Sequence, residues 1–481
     1  MIAIISTLLT AVCFYFSIGI GDAWYLAWFA PLPVLMLAYG GSNRWAVFFA
    51  AFLGAALGSC CLLRAYGGVL PAYVLALEIG VPAFLFAIAV LVSRVLHFKR
   101  GPLSAALAFA TLWAAFDFLI SFGKGGGAIA TPAAAEMGMP VLVQSLSLFG
   151  FPAVTFLLGF VPAGIAAGIA SRRAAPALAA AGLFALNLGF GAWHMAAPPM
   201  NTLRVALVDG NRAVGSIGSD DEAAAESALE AYFSAIEPLK GKVDLIVLPE
   251  NIAYLAPGWR ARVVEQLASA ATTLNATLVA GFNTDLGTGR GNVSMAFVPG
   301  QAEPLIYQKR ALVPVLETRY FQRGAGPKST PSGIGLEVCK DMDFQAMIRS
   351  DAVATTPSLL AVPAWDFNLD DWSHARVAVM RSVENGVPMA RSARDGLLTL
   401  NDRYGRVLLK TRTVDAITVA SGELPLSGSG GGTLYDKIGD SFGWLTVLFG
   451  ALFLLLSFAA RKAVSKEKSQ AERVASSPAS V

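Results

Sequence analysis

Residues 1–198 form an almost continuous apolar stretch, and this feature limits the chain to folds that place much of it in lipid. A helix that crosses a bilayer needs about 20 apolar residues. The stretch has room for seven such spans, and a further apolar run near the end of the chain provides an eighth. The predicted spans are 3–20, 24–41, 45–63, 69–96, 103–122, 144–170, 175–195 and 441–460. Only 14% of the residues are charged, against about 25% in soluble proteins, so we predict a polytopic membrane protein.

Basic residues are distributed unevenly between the predicted connecting loops. In an eight-span arrangement the short loops on one side carry only Arg64 and Lys124. The basic residues that fall on the other side are Arg44, Arg94, Lys99, Arg100, Arg172, Arg173, Arg461, Lys462, Lys466, Lys468 and Arg473. Because positively charged loops face the cytoplasm, both termini are expected there. The start of the chain lacks the basic segment and cleavage site of a signal peptide, so its first apolar run is interpreted as a retained span.

The remaining residues divide the chain into further regions. Residues 201–432 contain no run long enough to cross a membrane, which predicts one soluble extracytoplasmic domain after the transmembrane domain of residues 1–198. The C-terminal span at 441–460 is followed by residues 461–481, which are polar and predict a disordered cytoplasmic tail. The net charge of +3 is too small to suggest that the protein binds nucleic acid.

The soluble region has the pattern of a layered α/β fold. Strands are predicted at 203–208, 244–248, 277–282, 293–298, 335–339, 359–363, 387–391 and 397–400. Helices are predicted at 222–237, 259–274 and 371–385, the last with Asp370 or Asp371 as its N-cap and Gly386 just beyond its end. Pairs of consecutive strands alternate with strand–helix units, which favours a sandwich of layers over a simple doubly wound sheet.

One cysteine stands apart from the other three. Cys13, Cys60 and Cys61 lie in apolar runs, whereas Cys339 is alone in the polar part of the chain and has no disulfide partner there. Such a cysteine is either an inert core residue or a reactive thiol. Cys339 lies at the end of a predicted strand, as do Glu250 and Lys309, and strand ends are where α/β folds usually place their sites.

These three residue types fit acyl transfer through a thioester. Cys339 would attack as a thiolate, Glu250 would take its proton, and the Lys309 ammonium would stabilise the oxyanion of a tetrahedral intermediate. A Cys–His pair with His374, the single histidine of this region, is the competing arrangement.

Each candidate also has a structural interpretation. Cys339 at a strand end fits ordinary core packing, Glu250 fits a carboxylate at a helix N-terminus, and Lys309 with Arg310 fits a solvated basic pair. His374 fits a structural hydrogen-bonding role. Two further residues of its predicted helix, Arg376 and Arg381, are expected on a solvated face.

The candidates lie in motifs whose order and spacing are more specific than any single motif. Asp-Leu-Ile-Val-Leu-Pro-Glu ends at Glu250, Tyr-Gln-Lys-Arg-Ala-Leu-Val-Pro-Val-Leu-Glu contains Lys309 and Glu317, and Val-Cys ends at Cys339. Further segments of the same kind lie at 204–211, 372–374, 381–386, 388–391 and, in the membrane part, 143–150. Together these segments resemble the apolipoprotein N-acyltransferases of the nitrilase superfamily over nearly the whole chain.

The resemblance implies an α-β-β-α sandwich domain on the extracytoplasmic side of a bacterial cytoplasmic (inner) membrane. It implies that Cys339 takes an acyl chain from a phospholipid and that the thioester passes it to the α-amino group of a lipid-modified cysteine on an apolipoprotein. Glu250 would act as base and acid, Lys309 would hold the oxyanion, and Glu317 would orient Lys309 or assist proton transfer. No metal or nucleotide cofactor is implied, and we expect a monomer.

The chain departs from the family pattern beside the nucleophile. Where the family usually has Cys-Tyr-Glu, this sequence has Cys339, Lys340 and Asp341. Lys340 removes an aromatic surface, and its charge is expected to lower the pKa of the thiol if the two side chains are close. The loops 214–219 and 123–128 also lack the aromatic residues usual in the family.

Three other functions remain open. The same thioester could pass its acyl group to a different amine, or water could resolve it in an amidase-type hydrolase. A binding protein on a decayed scaffold is the third, and the intact Glu250, Lys309 and Cys339 argue against it. Because eight spans suggest a lipid substrate, they argue against hydrolysis of a soluble amide. The loops 251–258 and 313–331 are rich in Pro, Gly and aromatic residues and are predicted to be lids.

Overall fold

The computed structural model describes residues 1–123, 126–197, 201–210, 221–414, 416–427 and 432–475, with side chains as far as residue 460. The apolar first part of the chain is helical. Its α-helices are α1 (Ile2–Ser17), α2 (Leu32–Tyr39), α3 (Arg44–Gly58), α4 (Cys61–Tyr66), α5 (Ala72–Arg100), α6 (Pro102–Ile120), α7 (Leu146–Phe149), α8 (Phe151–Ser171) and α9 (Ala174–His194). Short 3-10 helices lie at Trp24–Leu26, Pro132–Gly138 and Pro140–Leu142.

Within the described residues, six helices are long and apolar enough to cross a membrane, two fewer than the eight predicted spans. They are Arg44–Tyr66, Ala72–Arg100, Pro102–Ile120, Phe151–Ser171, Ala174–His194 and Ser441–Ala460. The predicted span 3–20 corresponds to α1, which has 16 residues, and the predicted span 24–41 contains only the eight residues of α2. Proline is tolerated in the first turn of a helix but not in its interior, so Pro31 and Pro33 start a new helix instead of continuing one.

The predicted span 144–170 is also divided. α7 ends and α8 begins at Gly150, which has a φ of 71°. The aromatic ring of Tyr435 lies so close to Gly150 that a Cβ there would be 2.7 Å from a ring carbon. Glycine is therefore required both by the backbone conformation and by the close approach.

The soluble region folds as two sheets that pack face to face. The strands of the first sheet lie in the order β13-β1-β2-β4-β5-β6, with β3 also paired to β4, and those of the second in the order β12-β11-β10-β9-β8-β7. The strands are β1 (Thr202–Asp209), β2 (Leu245–Val247), β3 (Tyr254–Leu255), β4 (Thr277–Asp285), β5 (Arg290–Phe297), β6 (Leu305–Gln308), β7 (Lys328–Ser329), β8 (Ile334–Leu336), β9 (Leu359–Trp365), β10 (Met389–Arg394), β11 (Leu397–Asn401), β12 (Val407–Arg412) and β13 (Thr418–Pro425). The core between the sheets includes Val205 and Leu245 from one and Leu359 and Leu398 from the other.

Helices cover the outer face of each sheet, so the predicted α-β-β-α sandwich is confirmed. The helices are α10 (Glu222–Ile236), α11 (Arg260–Leu274), α12 (Gln345–Thr355) and α13 (Asp371–Asn385), followed by α14 (Leu434–Ile438) and α15 (Ser441–Ala475). α10 and α11 pack on the first sheet. α13 packs on the second, in one continuous apolar core with the membrane helices.

The eight predicted strands and three predicted helices all overlap observed elements. The strand-like run before Lys309 corresponds to β6, whereas the prediction lacked β3, β7, β12, β13 and α12. α15 continues in helical conformation to Ala475, so the predicted disorder is wrong for 461–475, while 476–481 lie outside the described residues.

α13 is buried between the second sheet and the membrane helices, and the prediction that Arg376 and Arg381 are solvated is wrong. Arg376 is 3% exposed and donates hydrogen bonds to the carbonyl oxygens of Gly19 and Gly21 in the membrane domain. Arg381 is fully buried and lies 3.0 Å from Glu384. The membrane domain covers the face of the helix that would otherwise meet water.

We predict that Gly150→Ala destabilises the protein. The added Cβ would meet the Tyr435 ring and force a non-glycine residue into a positive φ, at a cost of about 1–3 kcal/mol. The measurement is the midpoint of thermal unfolding in detergent. Gly182→Ala in α9 is the matched control, since a Cβ there meets nothing within 4 Å and alanine favours a helix by about 1 kcal/mol. Equal midpoints for the two variants would contradict the packing described for Gly150.

Candidate active site

Glu250 lies just beyond the carboxyl end of β2, in the first sheet. The side chain is 2% exposed, and the next residue, Asn251, turns the chain with a φ of 59°. The backbone of Glu250 rests on β4, because a Cβ on Gly281 would lie 2.5 Å from the Glu250 Cα atom. The absence of a side chain at Gly281 therefore allows the backbone of Glu250 to lie against β4.

Lys309 follows β6 and is held between two carboxylates. Its Nζ atom is 2.8 Å from Glu250 Oε1 and 2.9 Å from Glu317 Oε1, and the side chain is 1% exposed. The alternative of a solvated basic pair is wrong for both members, since Arg310 is largely buried and pairs with Asp351. The structure thus brings Glu250, Lys309 and Glu317 into direct contact.

Asn292 completes this cluster and was not among the predicted site residues. Its Nδ2 atom donates to Glu250 Oε1 at 2.6 Å and to Glu317 Oε1 at 2.8 Å. Asn292 is 2% exposed in the interior of β5, an otherwise mainly apolar strand. An amide in that setting is the signal that the sequence offered, because a buried polar group requires hydrogen-bond partners.

Cys339 opens a 3-10 turn, Cys339–Asp343, that follows β8 in the second sheet. It adopts a φ of 42°, a left-handed conformation that is uncommon for residues other than glycine and is concentrated at functional sites. Its half-buried thiol donates to the carbonyl oxygen of Trp365 at 3.4 Å. The charges of Glu250 and Lys309 both act on this thiol, so the three predicted residues share one site.

The electrostatics keep the thiol protonated until a base acts. Burial, then Glu250, raise the pKa of Cys339 well above its usual value of 9.0, while Lys309 and Arg391 oppose the rise. Burial also raises the pKa of Glu250, against the effect of Lys309. Burial alone would lower the pKa of Lys309, but Glu250 and Glu317 raise it well above its usual value. Glu250 Oε2 has no hydrogen-bond partner among the described residues, so this oxygen is available to accept a proton.

Asp341 joins the cysteine turn to the lysine segment. Its Oδ1 atom accepts hydrogen bonds from the backbone N–H groups of Arg310 and Ala311, and Oδ2 accepts from the Tyr307 hydroxyl and the Val338 N–H. The carboxylate is fully buried. Asp341 therefore fixes the spacing between Cys339 and Lys309 through the backbone.

Lys340 points its charge away from this arrangement. Its Nζ atom lies 3.0 Å from Asp343 Oδ2 and over the ring of Phe344. The charged groups that act most strongly on the Cys339 thiol are Glu250, Lys309, Asp366 and Arg391. The departure from the family pattern beside the nucleophile is thus balanced locally by Asp343.

The competing Cys–His arrangement is not supported. His374 lies with its Nδ1 atom 3.2 Å from Asp366 Oδ1 and 3.3 Å from Asp370 Oδ2. Burial would lower the pKa of His374, but Asp370 and Asp366 raise it to about 9. A protonated imidazole has no lone pair with which to take a proton from a thiol at neutral pH.

The predicted lids differ from each other. In 251–258, residues 251–255 are buried and Tyr254–Leu255 is strand β3, so this segment is part of the sheet and the prediction of a lid is wrong there. In 313–331, Glu317 is anchored to Lys309, while Val315 and Tyr320 are exposed. The predicted loop 214–219 and Lys124 lie outside the described residues.

Comparison with known proteins shows what this chain is similar to. Residues 204–419 match the sequence profile of the carbon-nitrogen hydrolases. An apolipoprotein N-acyltransferase from Brucella melitensis is 27% identical over 394 residues, covering 72% of each chain. Another from Geobacter metallireducens is 25% identical over 509 residues, covering 95% of each. The solved structure of a CN-hydrolase superfamily protein from Xanthomonas campestris is 20% identical and covers 46% of this chain and 91% of that chain, with a TM-score of 0.39.

Residues 204–419 of this protein are similar to the carbon-nitrogen hydrolases, the enzymes of the nitrilase superfamily. Along most of its length the chain is also similar to the apolipoprotein N-acyltransferases.

We predict that Lys309→Met and Lys340→Met affect the Cys339 thiol differently. Loss of the Lys309 ammonium removes a charge that lowers the pKa of the thiol, so alkylation of Cys339 should slow by roughly tenfold for each unit of pKa increase. Lys340→Met should leave the pH midpoint of alkylation nearly unchanged, since that charge is paired with Asp343. The measurement is alkylation by a neutral haloacetamide across pH, followed by peptide mass spectrometry on folded protein. An equal shift in both variants would contradict the geometry described for Lys340.

Proposed function

We propose that this protein is a membrane acyltransferase that moves an acyl chain from a phospholipid, through a thioester on Cys339, to the α-amino group of a lipid-modified apolipoprotein cysteine. The observation that carries the proposal is the fully buried Lys309, held by Glu250 and Glu317 beside a half-buried cysteine. The names of the relatives supply the acceptor, and the membrane helices make a lipid donor accessible.

The first half-reaction forms the thioester. The free oxygen of Glu250 takes the thiol proton as the sulfur attacks the ester carbonyl carbon, and the Lys309 ammonium stabilises the negative charge that develops on the carbonyl oxygen. Collapse of the tetrahedral intermediate breaks the ester C–O bond. The protonated Glu250 then delivers its proton to the departing alkoxide, which leaves as the hydroxyl of a lysophospholipid.

The second half-reaction transfers the acyl chain to nitrogen. A neutral amine attacks the thioester carbonyl, Lys309 again stabilises the oxyanion, and Glu250 accepts a proton from the attacking nitrogen. The C–S bond breaks to give an amide, and the thiolate recovers the proton from Glu250. Glu317 and Asn292 take no proton in this scheme; they hold Lys309 and Glu250 in place.

The position of the cysteine turn supports a substrate delivered from the bilayer. The Ala128 N–H, in the loop after α6, donates to the Asp343 carbonyl oxygen at 2.8 Å. Gly127 has a φ of 57°, and a Cβ there would lie 2.5 Å from that same oxygen. Glycines replace the family's aromatic residues in this loop, and at Gly127 the close approach of the catalytic turn requires one.

The proposal includes a location. The protein would be a monomer in the bacterial cytoplasmic membrane, with both termini in the cytoplasm and the catalytic domain of residues 201–432 outside. Because six is an even number, as eight is, both termini lie on the same side of the membrane. Most of the basic residues in the short connections lie on that side as well, which favours a cytoplasmic location for the termini.

A second candidate function uses the same thioester with a different amine acceptor. It is favoured by Lys340, a charged residue that is ion-paired with Asp343 where the family has an aromatic ring. Water could also resolve the thioester, as in an amidase-type hydrolase. The three outcomes differ only in what discharges Cys339, so they are separated by a single-turnover experiment.

We predict that incubation with a fluorescent phospholipid in detergent gives an acyl adduct on Cys339. Intact-protein and peptide mass spectrometry should detect it in the native protein and not in Cys339→Ala or Cys339→Ser. A diacylated lipopeptide should then discharge the adduct and become triacylated. Absence of an adduct with every phospholipid tested would rule out the acyltransferase. An adduct that only water or another amine discharges would identify the alternative functions.

We predict that Gly281→Ala slows adduct formation. The new Cβ would displace Glu250 from the Lys309 contact, and misplacement of a catalytic group by about 1 Å costs up to roughly a hundredfold in rate. Gly258→Ala is the matched control in the same domain, because a Cβ there meets nothing within 4 Å. The measurement is the single-turnover rate at saturating phospholipid, and equal rates in the two variants would argue against Glu250 as the base.

A further inference from the structure

A continuous chain of polar contacts runs from the membrane domain toward Cys339. It starts at Tyr66, the last residue of α4, whose hydroxyl donates to Asp370 Oδ2 at 2.6 Å. Asp370 immediately precedes α13 and is 1% exposed. The Nδ1 atom of His374 lies 3.3 Å from Asp370 Oδ2 and 3.2 Å from Asp366 Oδ1. One ring nitrogen of His374 thus links the two carboxylates, and Asp370 also accepts from a phenol of the membrane domain.

The far end of the chain meets the nucleophile. Asp366 is fully buried and accepts two hydrogen bonds from Arg391, at 3.0 and 2.5 Å. A Cβ on Gly396 would lie 2.1 Å from Asp366 Oδ2, so the carboxylate has no room to move in that direction. Asp366 directly follows Trp365, whose carbonyl oxygen accepts the Cys339 thiol hydrogen. Fixing Asp366 therefore fixes the peptide that holds the sulfur.

Charged residues of this series of contacts also affect the pKa of the Cys339 thiol. Asp366 raises the pKa of Cys339 and Arg391 lowers it. The groups that face His374 are Asp366 and Asp370 around its own helix, Asp343 from the cysteine turn, and Tyr66 from α4. With a pKa raised to about 9, His374 is a cation that holds Asp366 and Asp370 in fixed positions at neutral pH.

We propose that Tyr66, Asp370, His374 and Asp366 form an interdomain positioning chain, through which contact with the membrane domain holds the Trp365 carbonyl against the Cys339 thiol. None of the four takes part in the proton transfers proposed above. Tyr66 is then a positioning residue that the membrane domain supplies to a site on the other domain. The inference rests on the proposed role of Cys339 as the nucleophile, but not on the identity of the donor or acceptor.

A positioning role and a merely structural role predict different results. A hydrogen bond donated by a thiol stabilises its neutral form, so a loosened Trp365 carbonyl should lower the pKa of Cys339. The thiol would then be easier to deprotonate, but its sulfur would be less well positioned for attack on the carbonyl carbon of an ester. The rate of alkylation by a small reagent at neutral pH should therefore rise, while the rate of acyl transfer from a phospholipid should fall. A general loss of stability would slow acyl transfer without lowering the pH midpoint of alkylation.

The test uses the full-length protein in detergent with Tyr66→Phe, Asp370→Asn and the double variant. The pH midpoint of Cys339 alkylation by a neutral haloacetamide should move to lower pH in each single variant. The single-turnover rate of thioester formation should fall about fivefold, an effect the size of one lost hydrogen bond, with unchanged KM for the phospholipid. The double variant should be no slower than the slower single variant, because both changes break the same contact.

Two further variants make the result decisive. Tyr73→Phe, in α5, removes a hydroxyl from a residue that is 66% exposed and should match the native protein in both assays. His374→Gln breaks the chain from the catalytic side and should slow thioester formation to a similar extent, even if one of the other variants fails to fold. This variant also removes a cation, which by itself raises the pKa of the thiol, so the direction of the alkylation midpoint is decided by Tyr66→Phe, which changes no charge. An alkylation midpoint that stays at the native value in Tyr66→Phe overturns the proposal, as do effects that multiply in the double variant. If the native protein forms no thioester, the proposed function fails, while the alkylation midpoints still decide the positioning chain.

Discussion

The buried contact between the Lys309 ammonium and the carboxylates of Glu250 and Glu317 is the interaction on which the site depends. A charge removed from water is costly unless it is paired and hydrogen-bonded, and here one cation has two anionic partners within 2.9 Å. Asn292 donates to both anions and so reduces their mutual repulsion. The surplus negative charge keeps Lys309 protonated, and one Glu250 oxygen has no hydrogen-bond partner among the residues that the structure describes.

That cluster belongs to one sheet, and the cysteine belongs to the other. The two sheets meet through the apolar core between them, and Asp341 ties the cysteine turn to β6 and the residues after it by three hydrogen bonds, from Tyr307, Arg310 and Ala311. The relative position of carboxylate, cation and thiol is thus set by packing and by these hydrogen bonds. Such a placement suits a reaction in which charge develops on a single oxygen atom and must meet a donor already in place.

Much of this arrangement could be predicted from the sequence because the relevant signals are local. Apolar runs that end in Glu250 and Cys339, and the polar residue Lys309 after Tyr307, identify strand ends without knowledge of the fold. The hydrogen-bond partners of Asn292, Asp366 and Arg391 could not be assigned because they are distant in the chain. Arg376 was misassigned because helical periodicity shows one buried face and cannot show that another domain covers the second. The apolar composition of 24–41 predicted a span, whereas its prolines and glycines determine where the helix ends.

The burial of most of α13 between the second sheet and the membrane helices has a consequence for how this protein can be divided. A catalytic domain separated from its membrane helices would expose part of the apolar core that α13 shares with them, and contiguous exposed apolar patches favour association. It would also leave Arg376 without the carbonyl groups of Gly19 and Gly21. The two parts therefore share one buried surface, and neither keeps all of its contacts without the other.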